Sequence, residues 1–120
     1  MKWERDTLSM STVVVTIRLA LLPGVDAADF LRAMNEKTIP GVEVALNRAI
    51  NVVGQRLWRD ETPNRSRQYL WAIEFNGIER LDLALASAEG CYTAARPDLD
   101  ALAVRVAQSV AVLEASWGYH

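Results

Sequence analysis

Whatever chemistry this chain performs must come from a few charged and aromatic side chains. Arg18 interrupts the apolar run "VVVTIRLALL", and Glu74 and Glu114 sit in two other strand-like segments. Arg56 stands with Trp58, Tyr69 and Trp71 in "GQRLWRDETPNRSRQYLWAIEF", Gly54–Phe75, around a polar turn. Glu74 or Glu114 could act as a general base if burial raised its pKa. The aromatic residues allow two readings. They can surround a cleft for a flat apolar molecule, oriented by the Tyr69 hydroxyl and the indole N–H groups, with Arg56 on the same side. They can equally fill the core, because aromatic residues supply much of the burial available to a small domain.

Other chemistries lack their parts. No serine lies in a nucleophile elbow, and the one histidine, His120, is the last residue. Cys91 is the only cysteine and has no histidine to activate it, so it reads as an incidental small residue. No cluster of His, Cys and carboxylate has metal-ligand spacing. Neither a metal nor a cofactor is expected.

Composition narrows the partners. Thirteen basic and fifteen acidic residues leave a formal net charge of -2. That balance supplies no basic footprint for nucleic acid. The longest apolar run falls short of the ~20 residues that span a bilayer, so no membrane partner is expected. "MKWERDTLSM" lacks the apolar core of an export signal, and a lone cysteine fits a reducing compartment, so the expected location is cytoplasmic. With 51% hydrophobic residues in 120, the chain has the material for one core.

Periodicity then places these residues on elements. Residues 1–10 read as a flexible arm and 11–120 as a single domain. From Ser11 to Leu22, Val13, Val15, Ile17, Leu19 and Leu21 alternate with Thr12, Val14, Thr16, Arg18 and Ala20, which is a strand pattern. Asp26 suits a helix N-cap, and "IPG" at Ile39–Gly41 is expected to end that helix. Residues 42–52 fit helix or strand; the reading favoured is a strand, clean from Asn51 to Arg59. "DETPNRS" predicts a turn into a strand over Gln68–Phe75. A helix from Ile78 to about Ser87, a loop at "AEGCYTAAR", a further helix start at Pro97 and a last strand in "SVAVLEASWGY" follow. The fold class is therefore α+β: a ferredoxin-like β-α-β-β-α-β plan, with both helices on one face of a four-stranded antiparallel sheet. The other face must meet water with polar residues or meet a partner.

The hairpin register decides the aromatic question. If Asp60 pairs near Arg67, Trp58 faces Tyr69 and Arg56 faces Trp71, on the side that continues through Ile73 and Phe75 to the helices. Leu57, Leu70, Ala72 and Glu74 then take the opposite side.

With "IPGV" (Ile39–Val42) closing the first helix, "QYLWAIEF" (Gln68–Phe75) running into the second and "VAVLEASW" (Val110–Trp117) closing the sheet, the chain resembles the dimeric α+β barrel superfamily. That superfamily includes stress-responsive barrel proteins, EthD-like proteins, cofactor-free antibiotic-biosynthesis monooxygenases and several haem-using enzymes. The resemblance implies a homodimer joined through the bare sheet faces, with pockets between sheet and helices or inside the barrel. The haem-using members need an axial histidine, which a terminal His120 does not suit. On that plan Arg18 falls near Glu114 on the face away from the helices, and an Arg18–Glu114 pair inside the barrel is expected, with Thr16 and Glu74 in the same polar lining. Two functions remain open. One is a binding protein for a small apolar or aromatic molecule, or a stress-related structural protein. The other, which the resemblance alone supplies, is a cofactor-independent monooxygenase or isomerase acting on an aromatic, polyketide-like substrate, with Arg18 or Arg56 stabilising an enolate.

Overall fold

The structure, a computed structural model, describes residues 3–5, 12–46, 52–77 and 81–119. Strand β1 is Trp3–Arg5, inside the segment expected to be a flexible arm; it pairs antiparallel with β6, Trp117–Tyr119. The rest of that arm, and His120, lie outside the described residues.

The main sheet begins with β2, Thr12–Leu21, whose side chains alternate between half-buried and buried along all ten residues. Val13, Val15, Ile17 and Leu19 are fully buried, so the β-branched alternation read in the sequence is a true one-faced strand. The Pro23–Gly24 turn follows, with Gly24 at φ +80°, a conformation that favours glycine. Asp26 then caps helix α1, Ala27–Ala33, by accepting a hydrogen bond from the Ala28 amide at 2.8 Å.

The first helix does not end at "IPG". A wide π turn at Met34–Thr38 passes directly into α2, Ile39–Leu46. The Ile39 amide bonds to the Met34 carbonyl five residues back. Pro40 follows this wide turn within the continuous helical run, where it donates no intrahelical hydrogen bond. The buried residues of this helical run are Phe30, Met34, Thr38 and Val42, each four apart. A strict α-helix would rotate that stripe about 40° per step away from the sheet. The wide turn takes up part of the drift.

Strands β3, Val52–Arg59, and β4, Gln68–Asn76, form the hairpin. Helix α3 then runs unbroken from Leu81 to Leu99, through the expected loop and through Pro97 in its last turn. Its buried side is Ala84, Ala88, Cys91, Tyr92, Ala95 and Leu99, a helical spacing written mostly in small residues. The last strand of the sheet is β5, Ala103–Val112, and not the later segment that the sequence suggested. It lies antiparallel to β2, with Leu21 opposite Ala103 and Val13 opposite Val112, and Val106 is left unopposed in a bulge.

The order across the sheet is β3-β4-β2-β5, all neighbours antiparallel. The β-α-β-β-α-β plan expected from the sequence is therefore what the chain builds. One face packs Val13, Ile17, Trp71 and Phe75 against Phe30, Val42 and the small residues of α3 in a single core. The rings of Phe30 and Tyr69 lie 4.8 Å apart, centre to centre. Among the described residues, no helix covers the other face.

Candidate functional site on the open sheet face

The hairpin turn sets the site. Within it, the Thr62 amide donates to Asp60 Oδ1 at 2.8 Å, and the Arg65 amide to the Thr62 carbonyl at 3.1 Å. Asn64 and Arg67 both adopt left-handed backbone, at φ 69° and 65°. Arg67 is thereby turned out of the ladder, and its guanidinium donates to the carbonyls of Leu22 and Val25 at 2.9 and 2.6 Å. Asp60 is left to pair with Gln68, through an amide-to-carbonyl bond of 3.0 Å.

The register is thus one residue away from the Asp60–Arg67 pairing expected from the sequence. Arg59 opposes Tyr69, Trp58 opposes Leu70, Leu57 opposes Trp71 and Arg56 opposes Ala72. A slip of one residue exchanges the faces of a strand. Tyr69 and Trp71 remain on the helix side, and Trp71 is fully enclosed, its indole N–H donating to Gln55 Oε1 at 2.8 Å. Trp58 and Arg56 are on the opposite, open face. The four aromatic-site candidates are therefore divided: two in the core, two on bare sheet.

Arg18 also differs from expectation. It opposes Ala107 on β5, and Glu114 lies seven residues further along, roughly 20 Å away at strand spacing. The guanidinium of Arg18 instead bonds Asp60 Oδ2 at 2.5 Å and Gln68 Oε1 at 3.1 Å, with the Asp60 side chain only 6% exposed. Hydrogen bonds from Thr62 and then from Arg18 hold the Asp60 carboxyl well below the usual carboxylate range. Arg18 is thus a neutralised clasp between β2 and the hairpin. Glu114 is exposed in the segment between β5 and β6. Cys91 is buried in the core, and burial pushes its thiol up to about 11, which leaves almost no thiolate at neutral pH.

What the open face does bring together is Trp58, Arg56 and Glu74. They border a hollow of about 350 Å³ with Val14, Gly54 and Ala72. Gly54 opposes Glu74, and Ala72 opposes Arg56. These two small residues leave the space that larger side chains would fill. A Cβ built on Gly54 meets nothing within 4 Å. A second, shallower hollow of about 230 Å³ continues on the far side of Val14 and Glu74, toward Ala111 and Leu113. Among the described residues, neither Arg56 nor Glu74 has a hydrogen-bond or ion-pair partner. Glu74 is half-buried and Arg56 exposed; Trp58 stands at the rim, 54% exposed. The contribution of Gly54 and Ala72 was missed in the sequence, although a glycine inside a strand is itself a signal of close approach or open space.

Among the described residues, no group of His, Cys, Asp and Glu is placed to hold a metal ion, and no helix is long and apolar enough to cross a membrane.

Comparison with known proteins agrees on the fold. No protein-family model matches the chain, and no curated protein matches it in sequence. Among solved structures, it is similar to a dimeric protein of unknown function and ferredoxin-like fold from Bacteroides fragilis. The TM-score is 0.52 at 14% identity, over 86% of this chain and 95% of that one. A proposed antibiotic biosynthesis monooxygenase from Bordetella bronchiseptica aligns over 88% of this chain and 97% of its own, at TM-score 0.49 and 13% identity. A NIPSNAP family protein from Agrobacterium tumefaciens aligns over 84% and 90%, at TM-score 0.48 and 15% identity. The fold is ferredoxin-like α+β, as the element order and sheet order independently require.

Proposed function

We propose that this protein is a homodimer that pairs its open sheet faces and binds a small aromatic molecule in the hollow bounded by Trp58, Arg56 and Glu74. The observation that carries this reading is a pair of opposite charges, without partners among the described residues, beside an exposed indole and around space left by Gly54 and Ala72. Charges left without partners at a half-buried surface are costly once that surface is covered, so a ligand or a partner must satisfy them. The hollow is within the lower range of small-molecule sites. Tyr69 and Trp71, grouped with the site on sequence grounds, belong to the packed layer beneath it. A purely structural, stress-related role would need the dimer but not the hollow.

The test uses a neutral aromatic probe. Methyl benzoate, followed by ligand-observed NMR, is expected to bind the wild type saturably and to lose that binding in Gly54→Val. Gly54 has no left-handed backbone angle and open space around it, so the valine fills the hollow without strain. Saturable binding that persists unchanged in Gly54→Val would remove the hollow as the site.

A second reading, a cofactor-independent monooxygenase or isomerase acting on an aromatic or polyketide-like substrate, is supported by the same unpaired groups. Glu74 would take the proton and Arg56 would hold the resulting enolate, a role that Arg18, already neutralised by Asp60, is poorly placed to fill. Oxygen uptake with anthrone-like or phenolic substrates, abolished by Glu74→Gln, is the expected signature. No uptake with any of them counts against this reading.

A further inference from the structure

We infer that the hollow selects aromatic acids that carry a hydrogen-bond donor at the far end of the ring, with the acid on Arg56 and the donor on Glu74. This inference rests on the reading of the open face as a ligand site and adds the ligand class. Arg56 and Trp58 are two residues apart on β3 and share the open face, about 7 Å from each other along the strand. Glu74 is the diagonal neighbour of Arg56 on β4, again about 7 Å away. The three groups thus form a triangle of ring, cation and anion around a gap bordered by the methyl group of Ala72 and the bare backbone of Gly54. A flat ring stacks on the indole of Trp58. A carboxylate suits the forked donors of Arg56, and a phenolic hydroxyl or amine suits the acceptor-only carboxylate of Glu74. The two side chains leave neighbouring strands at diagonal positions, so they can splay toward the two ends of a para-substituted benzene ring, and among the described residues they do not pair with each other. An apolar hydrocarbon would leave both unmet, and a simple anion would leave Glu74 and the indole unused.

The experiment compares four probes by isothermal titration and ligand-observed NMR on the intact protein: 4-hydroxybenzoate, benzoate, methyl 4-hydroxybenzoate and methyl benzoate. They differ only in whether the acid, the hydroxyl, both or neither is present. The expected order puts 4-hydroxybenzoate first, about tenfold or more tighter than methyl benzoate, which is what one charge-assisted hydrogen bond supplies. Arg56→Gln should remove the advantage of each acid over its ester and leave the esters unchanged. Glu74→Ala should remove the advantage of each hydroxylated probe over its parent. Equal affinity for all four probes, still lost in Gly54→Val, overturns the ligand class while leaving the site in place. Failure of every probe to bind the wild type overturns both. If Arg56→Gln dissociates the dimer without altering the relative affinities of the probes, the charges serve the partner subunit, and the inference falls.

Discussion

A single hydroxyl illustrates how much of this molecule is decided atom by atom. Thr38 is 1% exposed on the π turn between α1 and α2, and its Oγ1 has no hydrogen-bond partner among the described residues. A hydroxyl taken from water without a replacement bond costs about 1–3 kcal/mol in proteins. Threonine and valine share β-branching, so exchanging one for the other leaves helix propensity almost untouched. Thr38→Val is therefore expected to stabilise the fold by about 1 kcal/mol, read as a higher urea midpoint at unchanged slope. A lower midpoint would mean that the hydroxyl has a partner after all. At the same scale, Cys91 shows why a lone cysteine need not be a reactive one. Enclosed by the core and with its thiol pushed up, it lacks the exposure and the thiolate that nucleophilic chemistry requires.

At the scale of elements, the hairpin is where sequence and structure part, and the reason is local. Strands β2 and β4 were legible because their alternation is long and strict, and the Asp26 cap because its side chain makes a local bond. The pairing of β3 with β4 was not, because it depends on Arg67 taking a left-handed conformation that is uncommon outside glycine, asparagine and aspartate. That one residue shifts the ladder and moves Trp58 and Arg56 from the core side to the open face. The sequence pattern breaks helix α3 into two pieces for a different reason. Four of its six buried residues, Ala84, Ala88, Cys91 and Ala95, are small and carry little hydrophobic signal, and Gly90 and Pro97 look like breaks. The register is held by the Arg18–Asp60 clasp, which gives it a pH signature. The folded-state pKa of Asp60 is depressed below its unfolded value near 3.9. Its contribution is thus complete above about pH 4 and lost as the pH falls toward the folded value. Asp60→Asn should lower stability at pH 7 and flatten the acid limb of a stability–pH curve below about pH 4. An acid limb as steep as the wild type's would mean that other carboxylates dominate that region.

At the scale of the whole molecule, shape makes the argument for a second copy. The protein measures 46 × 36 × 22 Å, with a radius of gyration of 15.7 Å against roughly 14 Å for a compact domain of this length. Its thinness is that of a sheet with helices on one side and, among the described residues, none on the other. The uncovered side mixes Val14, Ala20, Leu70 and Ala72 with half-buried Thr16, and Val104 and Val106 on the edge strand β5 are about half exposed. A sheet face that leaves apolar side chains half-buried or exposed is one that a second copy can cover. Two copies can bury it by pairing the face with itself about a two-fold axis, so any change in it is felt twice. Thr16 lies mid-strand, between Ala72 and Ser109, two small neighbours that leave room for a longer side chain within one subunit. Thr16→Arg should therefore fold normally yet set two guanidinium groups against each other across the interface, a like-charge contact that costs several kcal/mol. By gel filtration and sedimentation at micromolar concentration, the wild type and Thr16→Val are expected at twice the chain mass and Thr16→Arg at the chain mass. A wild type that runs as a monomer would remove the dimer, a Thr16→Arg variant that stays dimeric would place the interface elsewhere, and either would leave the hollow at Trp58 open to solvent.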